Sequence, residues 1–254
     1  MGAVFCLFLH SNCMAGACFF IILRKNFASN VVGYTTKTLA DDKQAVSVGF
    51  VEVGGTGFNL TSLKLDVEGS CFGDICIEIL NSAGFTTQTY YWYQNAGFRD
   101  DGWYNDDDDK IGEDVDDVVF NPGDGLWLTG IDGEVLTTAG KVFQADVSLT
   151  LADDKQMLGN PYASAIGLAE NIEVDTEDPC YGDICIEMLN AAGYTETTYY
   201  WYKNAGFRAD GWFNDDDDQI GEDVDDVTFS AGQGLWVSGI DGAEFKITSP
   251  IPAN

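Results

Sequence analysis

Residues 71–133 and 180–242 of this chain are two copies of one text. The first begins CFGDICIEILNSAGF and ends GLWLTGIDG; the second begins CYGDICIEMLNAAGY and ends GLWVSGIDG. The offset is 109 throughout, and 47 of the 63 aligned positions are identical. A second anchor, LADDKQ, stands at 39–44 and again at 151–156, an offset of 112. Each repeat is therefore about 110 residues, a normal size for one domain. Any fold proposed for the chain must be buildable twice. The spacing predicts a hydrophobic N-terminal segment over 1–28 and two homologous units over 29–144 and 145–254.

Within a repeat the pattern is β. Ile75 to Leu80 is rich in β-branched residues and Thr86 to Tyr93 reads TTQTYYWY, with the turn Asn81-Ser82-Ala83-Gly84 between them. Val118 to Phe120 and Leu126 to Leu128, around Asn121-Pro122-Gly123-Asp124-Gly125, predict a second hairpin. Val46 to Val53 and Phe58 to Leu65 also favour strands. No segment after residue 30 sustains a 3.6-residue apolar period. The fold class expected is all-β: two tandem β-sandwich or barrel-like units behind a hydrophobic segment.

Ala3 to Leu23 holds 21 residues without Lys, Arg, Asp or Glu, long enough to span a bilayer as a helix, and Arg24 and Lys25 follow it. It reads as an export signal or membrane anchor, which places the protein outside the cell or on its surface. The formal charge is -30, from 42 acidic and 12 basic residues. Such a chain repels phosphate backbones and anionic lipid heads, which excludes nucleic-acid binding and leaves residues 3–23 as the sole membrane contact. The only histidine is His10. Chemistry that needs a histidine base or ligand in the later residues is thereby excluded, and the expectation is a protein that is not an enzyme.

The acids are concentrated. Asp100 to Asp117, DDGWYNDDDDKIGEDVDD, has ten acidic residues in 18, and the copy at 209–226 has nine. Crowded carboxylates repel one another, and a hard cation relieves that repulsion. Calcium takes six to eight oxygens from flexible acidic loops. The candidate ligands are Asp107, Asp109, Glu113, Asp114 and Asp116, with Asp216, Asp218, Glu222, Asp223 and Asp225 in the second copy. The spacing is not that of an EF-hand, since Val118 stands where the bidentate Glu belongs. The alternative is a hydrated loop that keeps the protein soluble.

Flat aromatic faces suit sugar rings. Thr87 is replaced by Glu196 in the second copy, so the strand face that carries Tyr91 and Tyr93 points to solvent. Tyr91, Tyr93, Tyr200 and Tyr202 are thus candidate sugar-stacking residues, while Tyr90, Trp92, Trp127 and Trp236 fit core positions. Cys71, Cys76, Cys180 and Cys185 allow one bridge per repeat, Cys71–Cys76 and Cys180–Cys185, if Gly73-Asp74 turns the chain. The alternative is four packed thiols.

The order NVVGY, LADDK, GNPY (Gly159 to Tyr162), YYWY, DGW and GLW resembles tandem units of bacterial exported proteins of uncharacterised function. The resemblance covers nearly everything after residue 29. It implies a secreted, β-rich repeat protein and brings no known active site. The leading expectation is a structural or adhesive surface protein whose acidic loops bind calcium and whose partners are itself or other matrix components. The alternative is a tandem carbohydrate-binding module.

Overall fold

The computed structural model describes residues 32–81, 83–177, 179–190 and 193–251. The predicted segment 1–28, with His10 and its three cysteines, lies outside the described residues. What is described is all-β. Helix is confined to one turn at Leu168–Asn171 and a 3-10 turn at Leu60–Ser62. No described helix is long and apolar enough to cross a membrane.

Two five-stranded antiparallel sheets dominate. One runs Lys43–Ser47, Gly125–Thr129, Cys71–Leu80, Thr86–Gln94, Gly102–Tyr104. The other runs Lys155–Gly159, Gly234–Ser238, Cys180–Leu189, Thr195–Lys203, Gly211–Phe213. Each faces a smaller sheet. In the first half this joins Val32–Thr38, Val135–Val142, Phe50–Val51 and Lys64–Asp66. In the second it joins Val147–Thr150, Glu244–Ile247 and Ile172–Asp175. Among the described residues no sheet closes on itself, so the barrel alternative does not hold there.

The apolar residues explain the layering. Leu126 and Leu128 alternate inward along their strand and meet Ile75, Ile77 and Tyr90 from the same sheet. Phe50, Leu65, Leu136 and Val142 complete that cluster from the smaller sheet. Leu235, Val237, Ile184 and Ile186 meet Val174, Phe245 and Ile247 in the same way in the second half. Each such side chain contributes roughly 1.5–3 kcal/mol by leaving water.

The central hairpin forms as predicted, with Ile77 opposite Tyr90 and Cys76 opposite Tyr91. The second predicted hairpin does not. Its turn is present, with the Asn121 N–H donating to Asp124 Oδ2 at 2.7 Å. The flanking strands, however, join different sheets: Val119–Phe120 pairs with Phe58–Asn59, while Gly125–Thr129 pairs with Lys43–Ser47 and Cys71–Leu80. A close turn dictates the reversal of the chain, but the apolar faces decide which sheet each arm joins. The run Val46 to Val53 breaks at Gly49, where a Cβ would lie 2.5 Å from the Tyr162 carbonyl oxygen.

That approach belongs to a seam between the halves. The Ser47 N–H donates to Gly232 O and the Gly159 N–H to Gly123 O, both at 3.0 Å. A Cβ on Gly125 would stand 2.3 Å from Leu158 O, so glycine lets the two backbones meet. Trp127 and Trp236 pack against each other across this seam, ring centroids 5.8 Å apart. They are half-buried there; the expected place in the core is taken by Leu126, Leu128, Leu235 and Val237.

Candidate functional site

The acidic segments hang beyond the Gly102–Tyr104 and Gly211–Phe213 edges of the large sheets. Each is built from its own side chains. Asn105 Oδ1 accepts the Asp107 and Asp109 N–H groups at 3.0 and 2.8 Å, closing an Asx turn. Asn214 does the same for Asp216 and Asp218. The tip residues Asp108 and Asp217 take the left-handed conformation, φ 67° and 66°. Asp117 closes the far end by accepting from the Thr61 N–H and hydroxyl, and Asp226 accepts the Ala169 N–H at 2.8 Å.

An arginine supplies positive charge to each loop. Arg99 Nη2 meets Asp108 Oδ1 at 2.6 Å, and Arg208 Nη2 meets Asp217 Oδ1 at 2.8 Å. The Asp108 carboxylate holds the Arg99 guanidinium above its ordinary pKa. The Arg99 guanidinium carbon lies 4.4 Å from the Tyr93 ring centroid and 4.9 Å from that of Tyr104. Arg208 lies 4.4 Å from Tyr202 and 4.7 Å from Phe213. Their Nη1 groups are buried without an oxygen partner, so the ring faces take up that charge.

The residues expected from sequence make the following contacts within the chain. Among the described residues no three acidic, histidine or cysteine side chains converge as a metal site. Glu113 pairs with Lys110 at 2.9 Å. Asp114 and Asp223 accept the Lys110 and Gln219 N–H groups at 3.2 and 3.3 Å. Asp107, Asp109, Asp216 and Asp218 supply backbone to the turns, and Asp116, Glu222 and Asp225 line the clefts described below. Tyr93 and Tyr202 lie under the arginines and beside Phe98 and Phe207, so they are not open platforms. Tyr91 engages Asp106 and Tyr200 engages Asp215; burial first, and that contact second, hold both phenols above their usual pKa.

The proposed disulfides do not form: Cys71, Cys76, Cys180 and Cys185 are free. Gly73-Asp74 makes a bulge within one strand instead of a reversal, with Gly73 at φ 92°. Cys71 then faces the core and donates toward Trp92 O at 3.3 Å, while Cys76 lies on the other face beside Thr129. Desolvation pushes the Cys76 and Cys185 thiols up, which disfavours the thiolate.

What the sequence reading missed is a cleft beside each loop. The first, about 590 Å3, is walled by Trp92, Trp103, Lys110 and the 111–117 segment. The second, about 700 Å3, is walled by Trp201, Trp212, Gln219 and the 220–226 segment. The indoles cross at 5.3 and 5.2 Å between centroids. Outside the cleft linings each half carries an exposed aromatic pair: Phe72 on Phe98, 54% and 66% exposed, and Tyr181 on Phe207, 54% and 69% exposed. The signal was present in the repeated DGW and AGFR texts, since a turn glycine ahead of a tryptophan puts an indole at a sheet edge. Comparison of the chain with protein-family models, with characterised proteins and with solved structures finds no match.

Proposed function

We propose that the chain is a non-enzymatic, exported or cell-surface protein of two tandem β-sandwich units with an adhesive role. The observation that supports this is recurrence. An exposed aromatic pair and an acidic, indole-walled cleft each occur in both halves, at the 109-residue spacing of the repeat. Two equal faces on one chain raise avidity without any new contact. Export rests on the apolar run 3–23.

The test is retention of the full chain on polysaccharide and cell-wall matrices. Retention should fall at least tenfold when Phe72 and Phe98 are replaced by serine, and again when Tyr181 and Phe207 are. Unchanged retention would overturn the adhesive reading, and turnover of a glycoside substrate would overturn the non-enzymatic one. The loops act as scaffolding in this reading, with Arg99 and Arg208 as their counter-ions. A melting temperature that is equal in EDTA and in millimolar calcium fits that role, whereas a calcium-specific rise of several degrees restores the metal reading.

A second reading, carbohydrate recognition, is favoured by the indole walls of the clefts. Its residues are then Trp92 and Trp201 rather than the four tyrosines, since Trp103 and Trp212 are buried beneath them. Loss of saccharide binding in Trp201→Ala, with Tyr200→Phe unaffected, is the outcome expected of it.

A further inference from the structure

Asn59-Leu60-Thr61 is the only Asn-x-Ser/Thr triplet in the chain, the acceptor text for N-linked sugars. A triplet of this kind can carry a sugar only if its asparagine points outward in the folded protein. Here the two-stranded ladder of the first half fixes the direction. Phe58 pairs with Phe120, and Asn59 pairs with Val119. Phe58 and Phe120 are 0% and 3% exposed, so they face the core. Successive residues of a strand face opposite ways, and directly opposed residues share a face. Asn59 and Val119 therefore stand side by side on the outer face, where Val119 is 52% exposed. The Asn59 N–H goes to Glu52 Oε1 at 3.4 Å, and its carboxamide makes no hydrogen bond among the described residues.

The second half keeps the ladder and loses the acceptor. Ile166 pairs with Phe229, and Gly167 pairs with Thr228. The outward pair Asn59 and Val119 thus becomes Gly167 and Thr228. Leu168 keeps the place of Leu60, both 0% exposed. Ala169 takes the place of Thr61: the N–H of each donates to the aspartate that ends its acidic segment, Asp117 or Asp226. A Cβ on Gly167 would stand 2.1 Å from Asp226 Oδ2, so an asparagine has no room there. The asparagine, the threonine and the exposed valine are replaced together, while the inward residues of the ladder stay apolar.

We propose that Asn59 is a glycosylation site, carrying an N-linked oligosaccharide beside Val119 on the outer face of the first half. The donor is an oligosaccharide on a polyprenyl pyrophosphate. The Asn59 carboxamide nitrogen bonds to its anomeric carbon, and the bond from that carbon to the pyrophosphate oxygen breaks. The lipid pyrophosphate leaves, and the amide gives up one proton. In the folded protein the Thr61 hydroxyl donates to Asp117. Transfer therefore precedes folding, while the triplet is still extended and its hydroxyl free, and the finished ladder then holds the sugar outward. The inference rests on the exported part of the reading above, because the transferases concerned act on chains that cross a membrane.

The test isolates the full chain from the cells that make it, in cytosolic and exported fractions. Its peptides are mapped by mass spectrometry before and after treatment with a peptide-N-glycosidase. Most exported chains should carry an oligosaccharide at Asn59 that the enzyme removes, leaving aspartate at that position. Thr61→Ala should abolish it without loss of the fold, since the second half is built with alanine at 169, and Thr61→Ser should retain it. An exported chain with a bare Asn59 would overturn the inference and leave export standing. A chain found only in the cytosol would overturn both. An oligosaccharide kept in Thr61→Ala would show attachment without the triplet and overturn the inference.

Discussion

The first and second clefts share their floor and differ in what fills them. Both are walled by crossed indoles, and the acidic loop of each half carries an Asx turn and an arginine between two aromatic rings. Only the first has Lys110 inside it and a glutamine beside the outer indole. A repeat can keep the groups that shape a loop while it changes the groups that satisfy a cavity. The shaping contacts are backbone hydrogen bonds and a buried cation, whose loss destabilises the loop. The filling contacts are partly exposed, so exchanging them costs little stability and alters what can bind.

The same contrast runs through the rest of the two halves, and its strongest case is Asn160. Its amide donates to the carbonyls of Ser164, Phe229 and Ser230, and its Oδ1 accepts the Tyr162 N–H at 2.9 Å. The first half has Val48 at the corresponding place, among apolar neighbours. Asn160→Leu strands several buried backbone groups at about 1–3 kcal/mol each. A loss of at least about 3 kcal/mol is expected in urea unfolding, with the slope unchanged. A loss under 1 kcal/mol would mean that the asparagine is not the lock of the second half.

Lys37 reverses the roles, because here the first half carries the awkward polar group. Leu149 occupies the corresponding place in the second half and packs on its core. The Lys37 ammonium has one long contact, to Ala45 O at 3.4 Å, and burial lowers its pKa to about 8. The folded form gives up its proton at lower pH than the unfolded form. Stability therefore rises with pH between about 8 and 10.5 and is lowest below that window. Lys37→Leu should stabilise the protein at pH 7 by on the order of 2 kcal/mol and flatten the alkaline rise. A variant that melts lower, or keeps the rise, would show that the ammonium is well solvated.

How much of this was legible follows from which signals are local. The all-β class, the central hairpin and the outward Tyr91 face are readable because period-two apolar runs and a glycine turn act within ten residues. The partners of Val119–Phe120 and Gly125–Thr129 were not, because sheet pairing joins residues far apart in the chain. Composition alone describes the acidic loop as a run of carboxylates and does not show the arginine that pairs with its tip. The chain has three arginines, and two of them are the repeated Arg99 and Arg208. Such scarcity beside ten carboxylates was a visible hint, but the ring faces that hold the guanidinium come together only in the folded sheet. LADDK also has a physical meaning that spacing could not show. Asp41 and Asp153 each accept a backbone N–H, from Asp132 and Asp241, at 2.8 Å.

If the arginines shape the loops, both halves should respond alike to their removal. Arg99→Met and Arg208→Met keep much of the side-chain bulk and remove the charge that meets Asp108 or Asp217 and the rings. Each should cost about 1–2 kcal/mol, since a partly desolvated cation over two rings is worth about that much. Unequal losses, by more than 1 kcal/mol, would break the symmetry of the scaffold. The Trp92 and Trp201 clefts would then differ in shape as well as in filling.

The smallest expected effect bears on the difference between the clefts. Lys110→Gln makes the first loop read like the second, DDDDQ. The Lys110–Glu113 pair spans i to i+3, and Glu113 is 64% exposed. Pairs of this kind are worth about 0.2–0.5 kcal/mol, and salt screens them. Glu113→Gln should cost the same, and the double variant no more, with the whole effect fading by 0.5 M salt. If Lys110→Gln instead costs more than about 1.5 kcal/mol at any salt, the ammonium is part of the fold of the first cleft. The second cleft, folding without one, would then have had to replace it with some other internal contact. At the position of the ammonium stands Gln219 Nε2 on Asp210 O, and Gln219→Ala would have to be equally costly. A small, salt-sensitive loss for Lys110→Gln and none for Gln219→Ala would mean that both loops stand without any group in the cleft. What occupies each cleft is then free to be a matter of binding.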